Sequence, residues 1–575
     1  MADYDLIIRG GTVHDGLGNA PVLADLAIKG KLIAAIGVVT GTATVELDAS
    51  GLLVTPGFVD VHTHYDGQAT WDNRLNPSSG HGVTSVVMGN CGVGFAPCRP
   101  AQREVLVKVM EGVEDVPELV MTQGLPWNWE TFPEYLDALA AREFDIDVAA
   151  QLPHSALRVF VMGERAAGHE APTAQDLATM RLLTTQAIRA GALGVTTSRN
   201  MAHRTKAGEL APSLFSDEDE LAALADGLKD AGRGVFQIIP APMGDALSEF
   251  GLMRRLAERS GRPLSYSLIQ MPTGNEDSWR DSLAALTDAA DAGLEIRAQV
   301  APRPVGMIYG LDLSFHPFAY HPSFKAIQHL PLAEKVALMR EPGMRAQLLS
   351  EQPQDSNTVN LKTVKSFQYS YVWGQEANYE PELVDRIDKR AKAAGLSVED
   401  FSYELLLANG GKALFYQPAA NYRDGNLLAV REMLVHPQTV VGLADGGAHY
   451  GLVCDGSFPT YYLARWARDA SDAERIALPQ AIAALTSEPA ALAGLADRGR
   501  LAVGHKADIN LIDFARLKVR VPTVTHDLPA GGRRLSQLAD GYVATVVSGQ
   551  VTYRNGEPTG AMPGRLVRGG AQQVL

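Results

Sequence analysis

The stretch Pro56-Gly-Phe-Val-Asp60-Val-His62-Thr-His64-Tyr-Asp66 decides how the rest of the chain is read. As a strand it turns successive side chains to opposite faces, so Asp60, His62, His64 and Asp66 share one face. Two imidazoles two positions apart on a strand can hold one metal ion. His-x-His alone is a weak signal, since two hydrogen-bonded core histidines would account for it. Here two carboxylates crowd the same face, and a late apolar run, Val440–Asp445, ends in another. That crowding calls for a cation.

Outward from this strand, short β-branched runs alternate with amphipathic stretches that open on a capping signal and close on glycine. Thr173-Ala-Gln-Asp176 leads to Gly191, Ser216-Asp-Glu-Asp219 to Gly232, a third stretch ends at Gly261, and Ser278-Trp-Arg-Asp281 leads to Gly293. These glycines recur at about the length of one βα unit, which predicts parallel strands. The predicted strands are Val59–His64, Val83–Met88, Val148–Leu152, Gly194–Ser198, Val235–Ile239, Leu264–Ile269, Ile296–Ala301 and Val440–Asp445. Parallel strands in that number imply an α/β chain folded as a (β/α)8 TIM-like barrel, with its active site at the C-terminal strand ends.

Both ends of the chain read differently. Asp5–Arg9, Asp25–Ile28 and Leu32–Ile36 are short alternating segments between Gly-rich turns. The pattern returns in Ala507–Phe514 and Ala544–Tyr553, with Asn555-Gly556 as a hairpin signal. Residues 1–55 and 496–575 are therefore expected to form one small β-sandwich domain, and 56–495 the barrel. Two regions break the barrel's rhythm, at about 100–146 and 304–435. Both follow strands where barrels place their sites, and each reads equally as a substrate wall or as a packing insertion.

Composition excludes several function classes. In 575 residues, Lys plus Arg number 51 against 66 Asp plus Glu, a net charge of −15 that disfavours nucleic acid and anionic membrane as partners. Cys91, Cys98 and Cys454 are too few for a disulfide framework, and MADYDLIIRGG lacks the charged and apolar regions of a signal peptide. A reducing, cytoplasmic setting is expected. The longest stretch without charge, Leu75–Cys98, is broken by Gly, Ser, Pro and Asn and does not read as a membrane span. A homo-oligomer is left open.

With these motifs in hand, the chain resembles the amidohydrolase superfamily and, within it, the D-aminoacylase family of N-acyl-D-amino-acid deacylases. The resemblance rests on Asp5–Thr12, the Pro-Gly-Phe-Val-Asp-Val-His-Thr-His block, Gly82-Val-Thr-Ser-Val-Val-Met-Gly-Asn-Cys-Gly92, Gly442-Leu-Ala-Asp-Gly-Gly-Ala-His449 and Gly504-His-Lys-Ala-Asp508. It implies a metal-dependent hydrolase of carbon–nitrogen amide bonds, and it suggests Zn2+. By the family's pattern His62 and His64 match first-strand metal ligands, Cys91 the metal-binding cysteine, and Asp445 the aspartate that binds metal and takes a proton from water. Imidazole and thiolate suit zinc, and a carboxylate touching both metal and water suits a base.

The departures are specific. The family places histidines at the ends of patterns like Gly-Val-Tyr-Ala-Thr-His and Pro-Val-Gln-Ile-Ser-His, where this chain has Gly234-Val-Phe-Gln-Ile-Ile239 and Pro263-Leu-Ser-Tyr-Ser-Leu268. With Ile239 and Leu268 at those positions, and no lysine on a predicted strand, one ion is expected. Period-two geometry puts Gln237 beside Ile239, and Tyr266 and Gln270 beside Leu268, as candidates to orient substrate or steady an oxyanion. Arg199 and Arg303 follow strands and could grip a substrate carboxylate, and His449 could line the pocket. His81 and His154 could also approach the mouth.

An N-acyl-D-amino acid is the expected substrate. A cyclic amide or imide, or another amide or ester, is the alternative. A relative that binds ligand without turnover is the alternative from another class, motivated by the same absent histidines.

Overall fold

The computed structural model describes residues 2–241, 245–272 and 277–570. Its centre is a set of parallel strands with every neighbouring pair in parallel register. These are β1 (Phe58–Thr63), β2 (Val83–Met88), β3 (Asp147–Ala150), β4 (Leu152–Pro153), β5 (Gly194–Ser198), β6 (Val235–Ile239), β7 (Leu264–Leu268), β8 (Ile296–Val300) and β9 (Thr439–Val441). They form two sheets, β1-β2-β3 and β9-β8-β7-β6-β5-β4. Only Gln151 separates β3 from β4 in the chain. At the other end, Thr63 and Gly446 form a parallel bridge, His64 N donates to Gly446 O at 2.7 Å, and Asp445 N donates to His62 O at 3.1 Å. The end of β1 therefore lies against the residues that follow β9.

The helices between these strands start and stop for local reasons. Thr173 Oγ1 accepts from Asp176 N while Asp176 Oδ2 accepts from Thr173 N, so the cap closes on itself before the helix Ala174–Ala190. For the next helix, Glu218–Ala231, the cap is Asp217 rather than the expected Ser216. Asp217 holds the extended backbone a cap requires, and its carboxylate accepts from Glu220 N at 2.9 Å. Asp245 caps Ala246–Ser260 in the same way. Each helix hides an apolar stripe against the strands, represented by Leu221, Leu224 and Leu228 on one and Phe250, Met253 and Leu256 on another.

Strands from both chain ends share one sheet of nine. Leu53–Pro56 pairs in parallel with Tyr4–Val13 and antiparallel with Ile509–Ile512, which pairs in turn with Tyr542–Val547. Asn555 and Gly556, at φ 51° and 80°, make the tight turn expected from that dipeptide. Within 496–575, Lys518–Val519 with Ala539–Asp540 and Thr523–Thr525 with Arg534–Ser536 pair outside this sheet. Region 304–435 builds its own sheet, Val305–Tyr309, Tyr371–Val372 and Phe415–Ala420, over an apolar cluster around Tyr309, Phe318, Phe367 and Phe415. Region 100–146 is largely helical and anchors through buried Trp129, whose Nε1 donates to Phe95 O at 2.9 Å. Among the described residues no helix is long and apolar enough to cross a membrane.

Candidate metal centre

His62 and His64 lie at the C-terminal end of β1, both fully buried, with ring centroids 5.6 Å apart. Cys91 stands after β2 in a left-handed turn at φ 56°, and its Sγ is 3.5 Å from His62 Nε2. The ligand atoms of His62, His64 and Cys91 all lie within 4.8 Å of one another. Asp445, also left-handed at φ 48°, brings Oδ1 to 3.3 Å from His62 Nε2 and 3.7 Å from His64 Nε2. The four residues carrying the metal expectation thus meet. Asp445 comes close because Gly446 and Gly447 follow it: a Cβ on Gly447, at φ +87°, would lie 2.7 Å from Tyr65 Cδ1 and 2.8 Å from Tyr65 N.

Each imidazole has an acceptor behind it. His62 Nδ1 is 2.8 Å from Gln299 Oε1, and Gln299 Nε2 donates to Ser265 Oγ at 3.1 Å, which fixes the amide and leaves His62 Nε2 facing Asp445. Behind His64 is Glu114, with Oε1 3.5 Å from Nδ1. Glu114 Oε2 is 3.5 Å from His449 Nε2, and His449 N donates to the Glu114 carbonyl. Glu114 is a site residue the sequence reading missed. It is 1% exposed and terminates the helix Arg103–Val113 in the first insertion, so that insertion reaches the centre. Burial, then the fields of His449 and His62, lowers the pKa of His203 to about 3.

Electrostatics test whether a cation fits. Burial raises Asp60 and Asp66 to about 7 and pushes Glu114 well above the usual carboxylate range, with Asp445 adding repulsion on Asp60 and Glu114. Burial, followed by the charges of Glu114 and Asp445, likewise raises the Cys91 thiol. Burial lowers both His62 and His64. Among the described residues, neither His64 nitrogen, nor Asp445 Oδ1, nor Glu114 Oε1 has a hydrogen-bond partner. Among the described residues no lysine or arginine pairs with Asp60, Asp66, Glu114 or Asp445. Acids and lone pairs converging without a countercharge fit a bound divalent ion.

The other expected site residues go to different places. Gln237 is buried in register with Ser265, on the face that carries Gln299, and neither of its amide atoms has a partner among the described residues. Tyr266 points the other way, out of the site where the sequence places it. Ser265, its neighbour, meets Gln299 on the inner face, so Tyr266 turns outward onto Phe250, with ring centroids 6.1 Å apart. Ile239 and Leu268 join Tyr266, Met253 and Trp279 around a cavity of about 90 Å³. Arg199 and Arg303 are also corrected as carboxylate grips. Arg199 Nε is held by both oxygens of Glu249, at 3.1 and 2.9 Å. Arg303, 1% exposed, donates to Asp455 Oδ1 and Cys454 O at 2.7 Å and to Ser457 Oγ at 2.9 Å, under the Tyr379 ring at 3.9 Å. Gln270 binds Asp424. His81 is fixed between Thr460 and Gln537 O, and His154 between Thr197 and Glu220. Cys98 and Cys454 are buried and unpaired. His449 does line a cavity, of about 960 Å³, walled by both insertions and by residues 526–533.

The profile of a family described as "Amidohydrolase family" matches residues 45–553. A D-aminoacylase of Alcaligenes xylosoxydans xylosoxydans is 26% identical over 570 residues, covering 98% of this chain and 97% of that protein. An N-acyl-D-glutamate deacylase of the same organism is 28% identical over 573 residues, covering 98% and 96%. The fold is similar to the crystal structure of an N-acyl-D-glutamate deacylase from Bordetella bronchiseptica, complexed with zinc and a phosphonate mimic of the tetrahedral intermediate. The TM-score is 0.66 at 23% identity, over 98% of this chain and 99% of that one.

Proposed function

The chain belongs to the amidohydrolase family, and on that premise we propose that it hydrolyses the amide bond of a small N-acyl compound, an N-acyl-D-amino acid first. The observation that carries the reading is the convergence of His62, His64, Cys91 and Asp445 on one point with unpartnered atoms facing it. These four residues would hold one divalent ion, and their nitrogen and thiolate donors favour zinc. When bound, such an ion polarises the amide carbonyl and makes water a usable nucleophile near neutral pH.

The chain's own groups supply the rest. Asp445 is the only one of the four whose side chain is appreciably exposed, at 23%. Its carboxylate takes the proton of the attacking water and returns it to the leaving amine. His449 Nε2, 3.9 Å from Asp445 Oδ2, lies where substrate enters from the cavity and orients it. Gln237 turns an uncommitted amide toward the same face and donates to the developing oxyanion, a contribution of about 3 kcal/mol in comparable sites. Gln299 and Glu114 hold the imidazole rings in the orientation that binding needs.

The same reading extends to architecture. The two parallel sheets are arcs of one (β/α)8 barrel, supported by the contiguity of β3 and β4 and by the Thr63–Gly446 bridge. Residues 1–55 and 496–575 form the small β domain, and 56–495 the catalytic one. Three unpaired cysteines agree with a cytoplasmic setting.

The test is metal quantification together with assay of N-acyl-D-amino acids, their L-isomers and cyclic amides. About one ion per chain, with activity lost on chelation and restored by zinc, is expected. A chain that holds less than a stoichiometric amount of metal and keeps its activity after chelation would overturn the reading.

A further inference from the structure

The cavity beside His449 is cationic although the chain is acidic. Its wall carries Arg204, Lys206, Lys325, Lys335 and Arg533 against Glu111, Asp115 and Asp355, on a chain of net charge −15. Most of these charges are accounted for. Lys206 pairs with Glu111 at 2.8 Å, and Lys325 faces Asp355 at 3.9 Å while donating to Gln354 O. Arg204 donates to the carbonyls of Met201 and Gly208, and Asp115 accepts from Ser314 Oγ and Gly451 N.

Lys335 and Arg533 are different. Both reach for one carboxylate, Asp312, and both stop at 3.4 Å, while His526 Nε2 stands 3.8 Å from its other oxygen. A charge-assisted pair settles at about 2.7–2.9 Å, as Arg303 and Asp455 do here at 2.7 Å. One carboxylate thus serves a lysine only 3% exposed and a guanidinium 38% exposed, and binds neither tightly. Among the described residues, the Nη2 of Arg533 has only a carbonyl, Leu313 O at 3.4 Å, to complete it. The excess charge also reaches His316, whose pKa falls to about 3 through burial first and then the field of Lys335.

We propose that Arg533, reinforced by buried Lys335, is an anion subsite that binds a carboxylate of the substrate within this cavity. The inference rests on the hydrolytic reading and deepens it by naming the group that selects the substrate. A guanidinium presents two parallel donors to a carboxylate, whereas Arg199 and Arg303 have already committed theirs. Lys335 acts through Asp312: by competing for that carboxylate it keeps Arg533 available.

Wild type and Arg533→Gln are compared on N-acetyl-D-glutamate against N-acetyl-D-glutamine, and on N-acetyl-D-leucine against its carboxamide. Within each pair only one carboxylate changes. The substitution is expected to raise KM about tenfold or more for the carboxylate member of at least one pair, as loss of a charged hydrogen bond does, leaving kcat within about threefold and the uncharged member unchanged. Lys335→Met should move KM in the same direction. Equal effects on both members of both pairs, or none, overturn the subsite while leaving amide hydrolysis standing. Calorimetric titration with N-acetyl-D-glutamate and N-acetyl-D-leucine gives a readout without turnover. Weaker binding by Arg533→Gln supports the subsite even if neither compound is hydrolysed; identical affinities, or no binding by the wild type at millimolar ligand, overturn it.

Discussion

Glu114 Oε1 stands 3.5 Å from His64 Nδ1, so a residue that closes an insertion's helix backs the end of β1. The Glu114 carboxylate thus flanks Nδ1, while Nε2 of the same ring is 3.7 Å from Asp445 Oδ1. Outer-shell partners of this kind change metal affinity about 10–100-fold. Glu114→Gln is expected to lower zinc affinity by that factor, measured by competition with a chromogenic chelator, with the fold retained. Unchanged affinity would remove Glu114 from the centre.

Asp445→Asn keeps the size and polarity of the side chain and removes its basicity. Turnover should fall by about 10²–10⁴-fold, while the thermal transition stays near that of the wild type. Rates within a few-fold of wild type would exclude Asp445 as the base.

Gly447→Ala tests how the centre is brought together. A methyl there meets Tyr65 N at 2.8 Å and the His64 carbonyl carbon at 2.9 Å, with the backbone at φ +87°. Positive φ and overpacking against backbone together predict a loss of about 2–4 kcal/mol in denaturant unfolding and weaker metal retention. Wild-type values for both would show that the approach of Asp445 to His64 tolerates slack.

Arg303→Met separates a structural arginine from a substrate-binding one. It leaves Asp455, buried beside Cys454 and Ser457, without its cation. Breaking such a pair costs about 3–5 kcal/mol, so the urea midpoint should drop sharply. The ratio of KM values between carboxylate and carboxamide substrates should not change; a large change would return Arg303 to the substrate site.

His81 predicts a pH dependence with a definite sign. Burial lowers its pKa from 6.5 to about 4 in the folded chain. As pH falls through 6.5 the unfolded chain takes up a proton that the folded chain refuses until about pH 4. The stabilisation is therefore full above 6.5 and declines between the two values. Asp145, raised to about 6 by burial, acts in the opposite sense, so the measurement must be a difference. The stability advantage of wild type over His81→Gln should shrink by up to about 3 kcal/mol between pH 7 and pH 4. A constant difference would contradict the assignment of a neutral buried imidazole.

The strands that carry the centre were legible because each is a short apolar run between turn signals, and β1 announced its chemistry through His62 and His64. What failed was facing. Counting in twos from Leu268 puts Tyr266 with the site, yet the inner face of β7 is set by Ser265 meeting Gln299. Arg199 and Arg303 were placed correctly along the chain, but Glu249 and Asp455, which occupy them, are tertiary partners that no local pattern reveals. Glu114 is hidden for the same reason: in the sequence it is an ordinary acid at a helix end, and only folding of the insertion gives it His64 and His449.

The nine-stranded sheet has a consequence for synthesis. Leu53–Pro56 cannot meet Ile509–Ile512 until the ribosome has added roughly 450 further residues. At about 5–20 residues per second, that wait is roughly 20–90 s. Throughout it, the early strands expose an apolar edge to the cell. Production should therefore respond to chaperone supply and to the speed of translation, and a fragment ending before residue 509 should precipitate rather than accumulate.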